Sequence, residues 1–592
     1  MEDDILKLHG DKKLSFKEMV NRSRPYLVGE IKWIILALLI ICINVVCDAA
    51  LPLIVQRVVD SLKQDPNILI QKGVVPFIAF AVAYLLISLV NLVFIYVEGM
   101  ILQKSGQRIV YKVRMEVFEH ITSMSLDQFN EMPVGSLVTR VANYTAAMSN
   151  LFTQTLVKLI KNTLTVICVY VVMLVISWQL ALIILAFMVL VLIGTLIFTK
   201  ISGKLFRKER SQLSDFNSYL NESLSGMKIT QLFNQEKKRK DRFVVKNNDL
   251  WKTRFKIILT FGFFRPSVNF IGYASLTIIF IFGVMTNLSA GMIVAFYLYV
   301  DRLFTPIQEI ADEIHHVQRA LTACERLFNF MDVKPHAVDK PEALEVNHFE
   351  GKIEFRNVWF AYEKEEWVLK DVSFTINKGD TCAFVGATGA GKTTILSLLV
   401  RNYVPQKGQI LIDDVDILTI KVESLRKAIG QMLQDVFLFS GTVKQNITLF
   451  DETISDESIN EAIKYVNADQ FINKLDNKLD NLVVERGENF SQGQRQLLSF
   501  ARTLVARPQI LVLDEATANI DTETEVLIQD SLEKMKSIGT MLIVAHRLST
   551  IQKADKIICL QNGCVVEEGN HQSLLKNKGY YYNLYRLQFK KS

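Results

Sequence analysis

Cysteine is scarce in this chain, with seven among 592 residues, at positions 42, 47, 168, 324, 382, 559 and 564. The number is odd and the spacing scattered. That argues against a disulfide scaffold and against a cysteine metal site, and points to a reducing cytosolic or membrane setting. An apolar leader is lacking too: the start, Met1-Glu2-Asp3-Asp4, is acidic, so neither a secretory signal nor a basic transit peptide is expected there. Charge excess is modest, at +6. The basic run Lys237-Lys238-Arg239-Lys240 has no interleaved aromatic platform, so a solvated face is expected there, with no nucleic acid as partner.

What the chain does have is apolar length. Half of its residues are hydrophobic and its mean hydropathy is +0.22, both high for a soluble protein. The apolar residues crowd the first 310 positions, and the remainder reads as a soluble α/β domain. Six stretches, near 33–58, 74–97, 157–177, 179–199, 257–284 and 288–309, approach or exceed the ~20 residues a helix needs to cross ~30 Å of hydrocarbon. Only Ser177-Trp178 separates the third from the fourth, which predicts a tight helical hairpin. Segments 98–156 and 200–256 are polar but keep helical periodicity, as in Val110, Val113, Val117, Phe118 and Ile121, and predict cytoplasmic extensions of the membrane helices. Segment 200–256 holds fifteen Lys/Arg against six Asp/Glu, while the short connections 177–178 and 285–288 hold no Lys or Arg. The positive-inside rule therefore places both long segments and both termini in the cytoplasm.

Asp48 lies about fifteen residues into the first apolar run. A carboxylate at that depth costs about 2.5–3.5 kcal/mol on insertion scales and should meet a cavity or a partner. Two readings stand: a contact for a cationic substrate or a proton, or a position near enough to the outer interface to meet water. The aromatic series Phe261, Phe263, Phe264, Phe270, Tyr273, Phe280, Phe282, Phe296, Tyr297 and Tyr299 lines a greasy cavity on one reading and packs helices or faces lipid on the other.

The soluble half carries a phosphate-loop motif at 386–394, Gly-Ala-Thr-Gly-Ala-Gly-Lys-Thr-Thr, between a strand-like run at 381–385 and a helix-like run at 395–400. Gly386, Gly389 and Gly391 permit the tight turn that aims successive N–H groups at phosphate oxygens, with Thr388 and Ala390 between them. Lys392 reaches the β/γ-phosphates, and Thr393, followed by Thr394, offers its hydroxyl to Mg²⁺. Downstream, the apolar run 510–513 ends in Asp514-Glu515. Here the first carboxylate suits water-mediated Mg²⁺ binding, and the second suits orienting or deprotonating the attacking water. A further apolar run, 541–545, ends in His546, placed for catalysis or for sensing the γ-phosphate. The expected fold is a six-helix α transmembrane domain with long cytoplasmic extensions, followed by an α/β P-loop ATPase domain. Its boundaries are expected at 1–32 (an N-terminal elbow), 33–330 (membrane domain), 331–349 (linker) and 350–592 (nucleotide-binding domain).

On these residues the chain resembles an ABC (ATP-binding cassette) exporter half-transporter over essentially its whole length. The resemblance implies that Tyr362 stacks on adenine and that Gln434 joins Asp514 and Thr393 around Mg²⁺. It also implies that Glu515 and His546 are catalytic and that Asp521 belongs to the D-loop. Ser491, Gln492, Gly493 and Gln494 fall at the signature that contacts ATP held by a second subunit. Glu485-Arg486-Gly487 resembles the exporter-specific loop, while Gly135 to Arg140 and Glu222 to Gly226 resemble the two intracellular coupling regions. The signature departs from the family's Leu-Ser-Gly-Gly-Gln, reading Phe490-Ser491-Gln492-Gly493-Gln494. The D-loop Ala518-Asn519-Ile520-Asp521 lacks its usual serine, and Val484 stands where glycine is common.

With an intact Walker face, this mixture resembles the consensus-site subunit of heterodimeric bacterial multidrug exporters. It implies ATP and Mg²⁺ as cofactors, a different half-transporter with a degenerate ATP site as partner, amphiphilic drugs, lipids or peptides as substrates, and a plasma-membrane location. A homodimer that tolerates Gln492, including a homodimeric lipid flippase, is the alternative. A nucleotide-sensing regulator or gated channel is the alternative of another class.

Overall fold

A computed structural model describes residues 14–64, 75–335, 339–363, 366–433, 435–514, 522–544 and 551–589. The chain divides into two compact units. The first takes in the chain up to Thr122 together with Met132–Lys334, and the second takes in Ser123–Glu131 and Pro335–Ser592.

The first unit is helical. A short helix, α1 (Phe16–Val28), precedes α2 (Ile31–Gln64) and α3 (Val75–Ser123), and α4 (Leu126–Asn130) falls in the stretch that groups with the second unit. Helix α5 (Val134–Ile176) contains two π-helical turns, at Arg140–Tyr144 and Leu151–Thr155. Then come α6 (Trp178–Ser225), the single-turn α7 (Met227–Leu232), α8 (Glu236–Met285) and α9 (Ala290–Met331). Six of these, α2, α3, α5, α6, α8 and α9, are long and apolar enough to cross a membrane. The 48 residues of α6 and 50 of α8 rise about 72–75 Å, more than twice the ~30 Å hydrocarbon core. The polar segments 98–156 and 200–256 are thus largely continuations of membrane helices, as their periodicity predicts. Ser177, in extended backbone, is the whole connection between α5 and α6.

Packing in this unit is antiparallel and specific. Along α6 and α8, Phe198 stacks on Phe264 at 4.1 Å, Arg254 meets Glu209 at 3.0 Å, and Arg239 meets Glu222 at 2.8 Å, so the register holds from the apolar to the polar end. Val169 and Met173 of α5, Ile184 and Val191 of α6, Ile279 of α8 and Phe296 and Leu303 of α9 form one apolar core. Ala37, Ile41 and Val45 of α2 pack with Leu102 of α3 and Val157 of α5 in another.

The second unit is α/β. Strands β1 (Ile353–Ala361), β2 (Trp367–Ile376), β4 (Lys407–Ile412) and β5 (Val415–Asp416) form an antiparallel sheet ordered β2-β1-β4-β5, and β3 (Thr381–Gly386) lies elsewhere. The main sheet brings β3 together with β6 (Ile429–Met432), β9 (Ile510–Asp514), β10 (Thr540–Val544), β11 (Lys556–Gln561) and β12 (Cys564–Gly569), in the order β12-β11-β3-β10-β9-β6. All pairings except β11 with β12 are parallel. The short strands β7 (Gly441–Thr442) and β8 (Leu482–Val483) pair apart from it.

Both faces of the main sheet are covered at its centre, so β3, β9 and β10 read as near-continuous apolar runs, whereas the edge strand β12 carries Glu567 and Glu568. Cys382, Phe384, Val512 and Leu542 face one core, while Ala383, Val385, Leu511, Leu513, Met541 and Ile543 face the other. Parallel strands end together, which gathers the carboxyl ends of β3, β10 and β9 along one edge. The helices of this unit include α10 (Lys392–Leu399), α11 (Val422–Ala428), α12 (Val443–Thr448), α13 (Asp456–Tyr465) and α14 (Gln492–Val505).

Candidate nucleotide site and an intramembrane polar cluster

The phosphate-loop segment follows β3 directly and opens α10. At Gly386 an added Cβ would stand 2.3 Å from the Leu560 carbonyl oxygen of the neighbouring strand, so no larger residue fits. Gly391 caps α10 with φ +99°, a left-handed conformation that any side chain would strain. Ala387, Thr388 and Gly389 are exposed at the loop's tip, and Ala390 is buried behind them. Lys392 is only 7% exposed. Its ammonium folds over the loop and donates to the carbonyls of Gly386 at 2.8 Å and Ala387 at 2.9 Å. Burial pushes its pKa below the usual lysine range, and the Asp514 carboxylate partly opposes that shift. A buried cation above a helix N-terminus is an arrangement that attracts phosphate.

Thr393 is exposed on the first turn of α10, whereas Thr394 is buried, its hydroxyl 3.1 Å from the Tyr362 phenol. The Tyr362 ring stays half exposed. It meets Phe360 and Tyr403 edge-on, at 4.9 and 5.1 Å, which leaves ring surface open for a planar ligand. Tyr403 in turn accepts a hydrogen bond from the Asn130 amide at 3.4 Å. A polar and aromatic chain thus runs from α4 through Tyr403 and Tyr362 to the first turn of α10.

Asp514 ends β9 in register with Val544 of β10, which is itself paired with Phe384 of β3. Glu515 follows Asp514 in sequence and His546 lies two residues after Val544. Both of these, with Gln434 and Asp521, lie outside the described residues. Among the described residues, no group of three or more His, Cys, Asp or Glu stands ready as a metal site by itself.

The signature segment builds a helix N-terminus of its own. Ser491 caps α14: its hydroxyl accepts from the Gln494 amide at 3.3 Å, and the Gln494 side chain accepts from the Ser491 amide at 3.0 Å. This reciprocal cap is what Ser-x-x-Gln before an apolar helix encodes. Gly493 is buried, and Gln492 projects exposed from the first turn. Phe490 anchors the segment from below, buried against Phe471.

Two residues escaped the sequence reading. Arg502, in the last turn of α14, donates to the carbonyls of Asn446 at 2.8 Å and Phe437 at 3.0 Å, and to the Asn446 side chain at 3.3 Å. It clamps the segment after Gln434 to the signature helix. Arg302 of α9 is the other. It pairs with Asp48 at 3.5 Å and also donates to the Asp48 carbonyl, while the Asn91 amide of α3 donates to the Asp48 carboxylate at 3.0 Å. Asp48 is therefore not a lone carboxylate. The aromatic series divides: Phe296 and Tyr299 are fully buried between helices and Phe264 stacks on Phe198, while Phe263, Phe270 and Tyr273 are exposed.

Comparison with known proteins agrees with this architecture. Residues 34–307 match the ABC transporter transmembrane region and residues 369–518 match the ABC transporter family. A probable multidrug resistance ABC transporter ATP-binding/permease protein of Bacillus subtilis is 37% identical over 84% of this chain and 74% of its own length. An ATP-dependent lipid A-core flippase of Syntrophus aciditrophicus is 32% identical over 97% of this chain and 94% of its own. The structure of a bacterial Atm1-family ABC exporter with ATP bound superposes with a TM-score of 0.76. It is 26% identical and matches over 96% of this chain and 99% of that one.

Proposed function

We propose, on the premise that the chain belongs to the ABC transporter family as an exporter half-transporter, that it expels amphiphilic or hydrophobic compounds of multidrug type as one half of a heterodimer. Membership makes it an ATPase coupled to transport, a multi-pass plasma-membrane protein with its ATPase domain in the cytoplasm. The multidrug reading draws support from the Bacillus relative and from the long apolar helices.

In the proposed cycle, ATP stacks its base on Tyr362 and seats its phosphates on the amides of residues 386–394, where Lys392 exchanges its two loop carbonyls for phosphate oxygens. Oxygen donors suit Mg²⁺, and the exposed Thr393 hydroxyl, Gln434 and the strand-end Asp514 are the residues that would hold it. When bound, the ion neutralises phosphate charge. Glu515 orients and deprotonates the attacking water, and His546 contacts the γ-phosphate. Asp521 lies at the dimer contact. Closure of two cassettes on ATP switches the membrane helices from inward- to outward-open through the coupling segments, and hydrolysis resets them.

The observation that carries the heterodimer is Gln492. It projects a side chain from the first turn of α14, where a regular signature presents bare backbone to the opposite subunit's phosphate. The test is purification of the chain alone and with its companion half-transporter. The expected result is weak ATP hydrolysis alone and drug-stimulated hydrolysis once the companion is present. Robust drug-stimulated hydrolysis by the lone chain overturns the heterodimer. Stimulation by lipid but not by cationic dyes would favour the flippase reading. Failure of inverted vesicles to accumulate labelled compound would favour a sensor.

A further inference from the structure

The polar cluster around Asp48 lies deep in the apolar part of the first unit. At the outer end of α2, Asp60 accepts from the Ser289 hydroxyl at 3.2 Å and the Gly291 amide at 2.9 Å, which fixes the start of α9. Asp48 is twelve residues farther in along α2, about 18 Å by helical rise, and seventeen residues, about 26 Å, from the start of the helix at Ile31. On α9 the Tyr299 phenol donates to the Ala49 carbonyl at 2.6 Å, one turn from Arg302. The same antiparallel register thus continues inward from the outer anchor to the Asp48–Arg302 pair.

Two asparagines complete the cluster. Asn44 lies one turn from Asp48 on the same face of α2, and Asn91 reaches Asp48 from α3. Both are almost fully buried, 2% and 6% exposed, and the side-chain carbonyl oxygen of each has no hydrogen-bond partner among the described residues. In a membrane interior there is no bulk water to satisfy such atoms, and a leucine would pack at either position without that penalty. The side chains of Asp48 and Arg302, by contrast, are 52% and 31% exposed, so a ligand can reach them. Ionisable residues at this depth usually serve a pathway or a ligand.

The donor and acceptor inventory specifies what fits. On one side stand the carbonyl oxygens of Asn44 and Asn91 and the Asp48 carboxylate, all acceptors. On the other stands the Arg302 guanidinium, a donor fork suited to phosphate or carboxylate. The cluster is neutral overall, so a simple cation gains no net field and leaves Arg302 without its counter-charge. We infer that this niche receives the head group of a zwitterionic amphiphile, one with a primary ammonium beside a phosphate. The ammonium donates to the exposed Asp48 carboxylate and the phosphate takes over Arg302, so every charge keeps a partner, while the buried oxygens of Asn44 and Asn91 behind the carboxylate come within reach of further N–H groups only as these side chains shift to admit the head group. This inference rests on the proposed export of amphiphiles and names the head group that the transporter selects.

The test uses the full transporter, with its companion subunit, in vesicles of phosphatidylglycerol, which carry no ammonium head group. ATPase stimulation is titrated with lysophosphatidylethanolamine and with lysophosphatidylcholine of equal acyl length. The two differ in the ammonium, which has three N–H donors in the first and none in the second. The expected half-maximal concentration is roughly tenfold lower for the ethanolamine form, the equivalent of about one net hydrogen bond. In Asn44→Leu and Asn91→Leu the ratio should fall toward one. Equal potency of the two lipids on the wild-type protein overturns the niche, and cationic dyes that still stimulate under those conditions leave the export reading standing. If no amphiphile of any kind stimulates or is transported, both readings fail together. Because the ratio is read first on the wild-type protein, a misfolded variant cannot hide the answer.

Discussion

Replacing Arg502 with methionine should weaken the ATPase domain and loosen its signature helix in one step. The guanidinium makes three hydrogen bonds, at 2.8, 3.0 and 3.3 Å, to Asn446 and Phe437. Asn446 is fully buried, and its amide group is otherwise committed to the backbone of Phe439 and Thr442. Methionine keeps the stem's packing but leaves acceptors unpaired, at about 1–3 kcal/mol for each that stays dry. Against that loss stands the cost of holding a cation out of water, which already pushes the Arg502 pKa down. The net expectation is a loss of about 2–4 kcal/mol. For a domain of this size that corresponds to a melting temperature lower by about 4–16 °C, at ~2–4 °C per kcal/mol. Thermal unfolding of the purified protein in detergent measures this, with Arg502→Lys expected between the two. The same variant should show a smaller ratio of drug-stimulated to basal ATP hydrolysis, because the segment after Gln434 is no longer tied to α14. A melting temperature within about 1 °C of wild type would refute the clamp.

Lys392→Met should abolish tight ATP binding, by about 10–100-fold for one charge-assisted contact to phosphate, without destabilising the fold. The native pKa of Lys392 is depressed, so between the native and unfolded pKa values the unfolded chain holds more protons, and wild-type stability rises with pH through that window. Any thermal advantage of Lys392→Met near neutrality should therefore shrink as the pH climbs towards the lysine range; an advantage that grows instead contradicts the assignment. Tyr403→Phe removes the hydroxyl that Asn130 reaches while keeping the ring beside Tyr362. ATP affinity should stay within about twofold, and drug stimulation of hydrolysis should fall by about 2–10-fold, the value of one hydrogen bond; unchanged stimulation removes Tyr403 from the coupling path. Glu515→Gln should bind ATP normally in a filter assay yet hydrolyse almost none, and turnover at the wild-type rate would mean another group is the base.

The phosphate loop was legible in the sequence because its chemistry is contiguous. Strand, turn, lysine and helix occupy neighbouring positions, and Gly386 and Gly391 occur where the backbone allows nothing larger. The six long helices were legible for a similar reason, since apolar length needs no knowledge of neighbours. Ser-x-x-Gln likewise announced its own cap at Ser491. What escaped depends on pairs far apart in the chain. Asp48 meets Arg302 across 254 positions, and nothing local to either predicts the other. Arg502 sits in an amphipathic helix where an arginine usually faces water, and its partners are backbone carbonyls that sequence does not display. The aromatic series on α8 and α9 stayed ambiguous because a helix that is apolar all round carries no mark of which side packs. Spacing does not distinguish Tyr273 from Tyr299, yet the first is exposed and the second buried.

The N-termini of α10 and α14 differ in how much of their phosphate-binding capacity is free. At α10 the loop amides and Lys392 need no other chain, and the ammonium's present partners are carbonyls that a phosphate can outcompete. At α14 the Ser491 hydroxyl already accepts from Gln494, yet a hydroxyl has one hydrogen to donate as well, so the cap does not prevent a bond to phosphate across a dimer. On the proposed reading of this segment as the signature, Gln492 is the obstacle. Its side chain leaves the first turn of α14, where the free backbone amides converge, and it must either fold aside or hold a phosphate off. In a homodimer both ATP sites would carry that obstacle, and both competent Walker faces would be handicapped. In the proposed heterodimer the obstacle falls at only one site, opposite the companion's own loop, while the loop around Lys392 receives the companion's signature. One site then turns over and the other holds nucleotide, and the irregular signature costs the transporter nothing where hydrolysis takes place.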